Sequence, residues 1–217
     1  MTDIVYLTNV RLSFPQLVEP RSSVQPSPAN PNPAKKFSAD FILSPSDPSV
    51  QTFMAEYGKA AVEKWGEHAQ NVMGLIQTDR KLRCYGNGNE KINNKTFVVY
   101  DGYANNAYIT ASSDAMPQMI QQSGVAVESS NIMACQAVAR KMYGGCYVNV
   151  AIRPWLQDNK HGRAVRCELI AVQFAAEGIP FGEAPPDLSG KFGAVATPTL
   201  DAAKAAAIMP GLPSFMG

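Results

Sequence analysis

Residues Met142–Gln173 read MYGGCYVNVAIRPWLQDNKHGRAVRCELIAVQ. Two apolar-patterned runs, Cys146–Trp155 and Arg163–Phe174, flank the turn Asp158-Asn159-Lys160-His161-Gly162. Alternation with a period of two, bounded by turn residues, predicts two strands of a hairpin. On the first strand Cys146, Val148, Val150 and Ile152 fall on one side. Tyr147, Asn149, Ala151, Arg153 and Trp155 fall on the other. One side is dry, and the other mixes rings with cations. That pairing raises the question of what the second side meets: solvent, or a polyanion with flat groups to stack.

Other strands follow from the same pattern. Ile4–Phe14 alternates, with Ile4, Tyr6, Val10, Leu12 and Phe14 expected on one face. Lys36–Leu43 places Phe37, Ala39, Phe41 and Leu43 together. Lys81–Tyr85, Lys95–Tyr100 and Asn106–Ser112 read as short strands, with a turn at Gly86-Asn87-Gly88-Asn89. From Pro15 through Pro33 the chain carries six prolines, which predict a long loop over residues 15–35. Asp47-Pro48 is a helix start, with Asp as N-cap and Pro at the first helical position. Val50, Phe53, Met54, Tyr57, Ala61 and Trp65 recur at helical spacing up to Gly66, so residues 47–66 form a helix. Asn131–Met142 is a second, weaker helical stretch. Beyond Ala175 the chain is rich in Gly, Pro and Ala. Residues 183–217 are expected to be a flexible C-terminal tail, with a short helix at Leu200–Ile208.

Many short strands without strand–helix alternation point to a mainly β, β-rich α+β protein. The best match is an OB-fold-like Greek-key barrel with an inserted helix, long loops and an extended tail. The 217 residues, 46% of them apolar, suffice for one such domain over residues 1–182.

Net charge is only +1, but it is unevenly spread. Arg80–Tyr100 holds Arg80, Lys81, Arg83, Lys91 and Lys95 against Glu90 alone. Arg140–Arg166 holds Arg140, Lys141, Arg153, Lys160, Arg163 and Arg166 against Asp158 alone. Such local stripes are the footprint of a polyanion partner. Single-stranded nucleic acid needs cations for phosphates and rings for unstacked bases, each stacked base being worth about 1–3 kcal/mol. Candidate phosphate contacts are Lys36, Arg80, Lys81, Arg83, Arg153, Arg163 and Arg166. Candidate stacking rings are Tyr85, Tyr147 and Trp155, with Lys81, Arg83 and Tyr85 on one face of their strand.

Enzyme signatures are thin. No GxxxxGK[ST], HExxH or GxSxG occurs, and Lys91 stands where a dinucleotide loop starting at Gly86 would need its third glycine. Only His68 and His161 are available for general-base work. Cys84, Cys135, Cys146 and Cys167 form no CxxC pair, so neither a metal site nor a cofactor is expected, and Cys146 and Cys167 read as buried thiols. Asp79, Glu90, Asp101 and Asp114 are the carboxylates a metal-dependent nuclease would use. Met1-Thr2-Asp3 leads straight into a strand-like run and no apolar stretch reaches 18 residues. Neither a secretory leader nor a membrane span is therefore expected, and a reducing cytoplasm is the expected compartment.

The run from Leu7 to Pro15, LTNVRLSFP, followed by KFSADFIL over Lys36–Leu43, resembles phage single-stranded DNA-binding proteins with an OB-fold, a family formerly classed as a domain of unknown function. Asp101-Gly102-Tyr103, YGGCYVNV over Tyr143–Val150 and LIAVQF over Leu169–Phe174 extend the likeness, which spans roughly Ile4–Gly182. The resemblance implies no catalysis, single-stranded DNA as partner, and a role in phage replication or recombination within the infected bacterial cell. Replication or recombination proteins and a second copy of the chain are the further partners it suggests. Asp201–Gly217 holds one Asp and one Lys, so recruitment of partners by an acidic tail is not expected. A phage structural or adaptor protein that uses the barrel on other proteins is the alternative reading, and the nuclease is the third.

Overall fold

The computed structural model describes residues 2–182 apart from 23 and 29. The predicted tail, residues 183–217, lies outside them. Seven strands occur: β1 (Val5–Arg21), β2 (Lys36–Leu43), β3 (Tyr85–Asn87), β4 (Ala107–Ser113), β5 (Gln118–Ile120), β6 (Tyr147–Asn159) and β7 (Gly162–Ala176). Their order is β3-β4-β2-β1-β6-β7-β5. A parallel pairing of β4 with β7, at Ser112 and Glu168, closes β1, β2, β4, β7 and β6 into a five-stranded barrel. Closure removes the free edges that an open sheet would expose.

β1 departs from its sequence pattern twice. Val5 and Leu7 are buried, then Val10 and Leu12, then Leu17, while Ile4, Tyr6 and Phe14 are exposed. The pairing register slips between Leu7 and Val10 on the β6 side, and between Ser13 and Gln16 on the β2 side. Each slip inserts one residue and so exchanges the two faces of the strand. Asn9 (φ 55°) and Phe14 (φ 46°) take the left-handed conformations at these bulges. The strand also runs on to Arg21 through Pro15 and Pro20, so the predicted loop over 15–35 begins seven residues late. Proline lacks a ladder donor, and here Pro15 falls inside the bulge and Pro20 in the irregular pairing between Gln16 and Arg21, where none is needed.

The insertion between β2 and β4 holds α1 (Pro48–Trp65), capped by the Asp47 carboxylate accepting from the Ser49 N–H at 2.9 Å and ended at Gly66. Phe53, Tyr57, Ala61 and Trp65 are buried against the barrel. A further helix, α2 (Ala69–Thr78), was not predicted; it buries Ala69, Val72 and Ile76. α3 (Ile132–Ala139) has Asn131 as N-cap and buries Cys135 and Ala139. The strand expected at Lys81–Tyr85 is a 3₁₀ turn, Arg80–Leu82, capped by Asp79, and the ladder starts only at Tyr85. Lys95–Tyr100 is likewise not a strand; a lone bridge joins Ile92 to Val99.

The main core fills the barrel and runs out under α1 and α2. A smaller cluster of Ile42, Tyr103 and Tyr108 lies apart from it, joined by Val99, Tyr100 and Phe181. The four cysteines are buried free thiols.

Candidate nucleic-acid interface

β6 and β7 pair antiparallel from Tyr147 to the tight turn at Asn159–Gly162. The predicted alternation holds: Val148, Val150, Ile152 and Leu156 are buried, while Arg153 and Trp155 face outward. The opposing rungs are Arg153 with Glu168, Trp155 with Arg166, and Asp158 with Arg163. Trp155 is 43% exposed.

Arg166 ties the two basic segments together. Its Nη1 donates to the Lys81 carbonyl at 3.0 Å, and its Nε donates to Gln157 Oε1 at 3.2 Å. Its own carbonyl accepts from the hydroxyl of the buried Tyr57, which also lies 3.0 Å from Cys84 Sγ. Burial drives the Tyr57 phenol far above its ordinary range, so it stays a neutral donor. The 3₁₀ turn with Arg80 and Lys81 is thereby docked beside the outer face of β7. Lys81, Arg153, Trp155 and Arg166 form one patch, with Arg163 at its margin, whereas Arg80 donates from its Nη1 to the Glu90 carbonyl, toward the Arg83–Glu90 pair.

The hairpin end is fixed from the other side. The Trp65 indole N–H donates to Asp158 Oδ2 at 2.6 Å, and Lys64 Nζ donates to the Leu156 carbonyl at 3.1 Å. The Trp65 hydrogen bond, with Arg163 beside it, holds the Asp158 carboxyl below the usual carboxylate range. Arg163 Nε lies 3.3 Å from Asp158 Oδ1, and Arg153 Nη1 lies 3.2 Å from Glu168 Oε2. Both pairs are solvent-exposed in part.

Four further predicted residues stand away from this patch. Arg83 points inward, with its side chain 11% exposed, and is held by Glu90 at 2.8 Å and the Tyr85 carbonyl at 2.8 Å. Tyr85 is half-buried, with ring centroids 5.9 Å from both Phe53 and Tyr57. Burial raises its phenol, and its hydroxyl accepts from Gln77. Since no strand runs from Lys81 to Tyr85, the shared face expected for Lys81, Arg83 and Tyr85 does not exist. Tyr147 shares the Trp155 face but sits eight residues back, about 26 Å along an extended strand. Its neighbour is Arg11, whose guanidinium lies 5.7 Å from the Tyr147 ring and 4.2 Å from that of Phe181. Lys36, at the start of β2, pairs with Asp114 at 3.2 Å.

Sequence reasoning missed Gln157 and Glu168, which share the outward face of the hairpin. Strand parity from Arg153 and Arg166 was the signal that places them there.

The acidic residues do not assemble a metal site. Asp79 caps the 3₁₀ turn, Glu90 holds Arg83, Asp101 accepts from the Gly182 N–H, and Asp114 pairs with Lys36. Among the described residues no cluster of three His, Cys, Asp or Glu side chains is disposed to hold a metal ion, and no helix is long and apolar enough to cross a membrane.

A five-stranded barrel closed by a parallel pairing, with a helical insertion between its second and third strands, defines an OB-fold protein. The chain belongs to the family described as the single-stranded DNA-binding protein of Enterobacter phage Enc34, whose model it matches over residues 3–198. A relative designated p50, from Acyrthosiphon pisum secondary endosymbiont phage 1, is 31% identical over 183 residues, covering 82% of this chain and 85% of the relative. Solved structures of one such protein share the fold. The single-stranded DNA-binding protein of bacteriophage Enc34 in complex with ssDNA superposes with a TM-score of 0.60 at 20% identity, over 82% of this chain and 89% of that one. The same protein without DNA gives 0.59 at 20% identity, over 87% and 89%.

Proposed function

We propose that this chain binds single-stranded DNA with little sequence preference and without catalysis, in phage DNA replication or recombination in the cytoplasm of the infected host. The binding unit is residues 1–182. Family membership supports the partner. The observation that carries the site is the Arg166 side chain, which joins the Trp155 rung of the hairpin to the Lys81 turn. Lys81, Arg153 and Arg166 neutralise phosphates while Trp155 stacks a base. Arg163 extends the positive path toward the hairpin end, while Arg80, Arg83 and Tyr85 brace the Lys81 turn and Lys36 lies away from it. The β6–β7 turn joins the last two barrel strands, and that loop is one of the two with which OB-folds hold oligonucleotides.

The test is fluorescence anisotropy with labelled oligo-dT, a mixed-sequence oligonucleotide and a duplex, across a salt series. The two single strands should bind alike, and the logarithm of affinity should fall linearly with that of salt, with a slope near −0.7 per phosphate contacted. Absence of binding to either single strand at low salt would refute the proposal.

A further inference from the structure

The outer surface of the second and third barrel strands, β2 and β4, is roofed in this protein. Asp40 and Ile42 point outward from β2 yet are buried. Lys91 Nζ (2.8 Å) and the Tyr103 hydroxyl (2.6 Å) both reach Asp40 Oδ2 from the segment 88–106. Thr110 on β4 donates to the other oxygen. Gly88 is pressed against this roof, since a Cβ there would stand 2.0 Å from the Tyr103 carbonyl oxygen. A strand of DNA crossing this side of the barrel meets the roof rather than β2 and β4.

The roof carries rings of its own. Residues 91–100 form a narrow ribbon: Tyr100 N–H donates to the Lys91 carbonyl, Asn93 N–H to that of Val98, and Phe97 N–H to that of Asn93. At its tip Phe97 is 82% exposed, beside Val98. At its base Tyr100 meets Phe14 edge-on, centroids 5.0 Å apart, and Phe14 remains 47% exposed. Among the described residues, non-glycine left-handed backbone occurs at Asn9, Phe14, Phe97 and Asn105. Asparagine tolerates that region, but phenylalanine does so rarely. Both phenylalanines so strained hold their rings out to solvent, one by way of a β-bulge, a device that re-aims side chains at functional sites. The ribbon holds no carboxylate, and with Lys91 turned under it onto Asp40 its remaining cation is Lys95, two residues before Phe97. An apolar tip beside a cation and free of acid suits unpaired bases on a phosphate chain.

We propose that Phe97, at the ribbon tip, with Phe14 at the ribbon's base, is a base-stacking site on the roof of the barrel, separate from the Trp155 patch and contacting another part of the same bound strand. This rests on the single-stranded DNA reading above. The test uses the full chain, oligo-dT and anisotropy at one moderate salt concentration and then across salt, with sedimentation to follow oligomeric state. Phe97→Ala and Phe97→Leu should each bind roughly 5- to 150-fold more weakly, the range for one lost stack. The salt slope should stay unchanged, because no cation is removed. Phe97→Tyr should stay within about threefold of the parent. The high exposure of Phe97 keeps these variants folded, and thermal melts check it. Parent affinity in Phe97→Ala overturns the proposal, as does parent affinity in Phe97→Leu. A change of oligomeric state in Phe97→Ala with oligo-dT affinity intact would make the tip a contact between copies and overturn it too. Failure of the parent itself to bind oligo-dT would instead refute the underlying reading, and this site with it.

Discussion

Replacing Trp155 by alanine is the most direct probe of the hairpin patch. The ring is 43% exposed and stands opposite Arg166. Loss of one base stack removes about 1–3 kcal/mol, which at 25 °C is roughly 5- to 150-fold in affinity. The covered part of the indole, on the order of 100 Å², contributes about 2–3 kcal/mol to stability as an upper bound. That is a fraction of the ~5–15 kcal/mol typical of a domain, so the variant should fold with a lowered Tm. Trp155→Phe separates the two effects. A phenyl ring still stacks, so affinity should fall by no more than a few-fold. The chain's other tryptophan, Trp65, is 8% exposed and hydrogen-bonded to Asp158, away from bases. Oligo-dT should therefore quench the tryptophan emission of the parent protein, and the Trp155→Phe protein should show almost none of that quenching. A folded Trp155→Ala protein with parental affinity, or full quenching in Trp155→Phe, would refute the assignment.

Other perturbations read neighbouring parts of the molecule. Glu168→Gln removes the carboxylate that faces Arg153 across the hairpin. Oligo-dT should bind several-fold more tightly at low salt, with the salt slope steeper by about 0.7, as one more phosphate replaces the lost acid; unchanged or weaker binding would take Arg153 off the DNA path. Lys91→Met leaves the Asp40 carboxylate buried without its cation, where the pair's side chains are only 25% and 6% exposed. Urea denaturation should show a loss of about 3–5 kcal/mol, and a loss under 1 kcal/mol would mean that water already compensates Asp40.

Local pattern located the elements whose partners lie close in sequence. The β6–β7 hairpin was legible because one short turn fixes its register, and α1 because Asp47, Pro48 and Gly66 punctuate it. β1 was legible as a strand but not in its facing. Each bulge exchanges inside for outside, and nothing in the run from Val5 to Phe14 announces the extra residue. Pro15 and Pro20 read as loop because the sequence alone does not reveal that the β1 ladder is already interrupted around them. α2 followed a helix stop at Gly66 so closely that its stripe of Ala69, Val72 and Ile76 was not separated from the end of α1.

The site was legible as a set of residue types and not as a place. Arg166 and Lys81 are 85 residues apart, and the hydrogen bond between them exists only because the barrel brings β7 under the turn at Arg80–Leu82. Arg83 looked equivalent to its neighbours, yet the half-exposed Glu90 draws its guanidinium inward, where it is nearly buried and holds the segment together. The outward arginines differ from it in what their partners cost to exchange. Arg153 with Glu168, and Arg163 with Asp158, are partly exposed pairs, and such pairs contribute about 0–1 kcal/mol. They keep the guanidiniums aligned on the hairpin in the free protein while resisting replacement by phosphate only weakly. A surface built this way holds its cations in register without a high net charge, which is how a chain of net charge +1 retains a face suited to a polyanion.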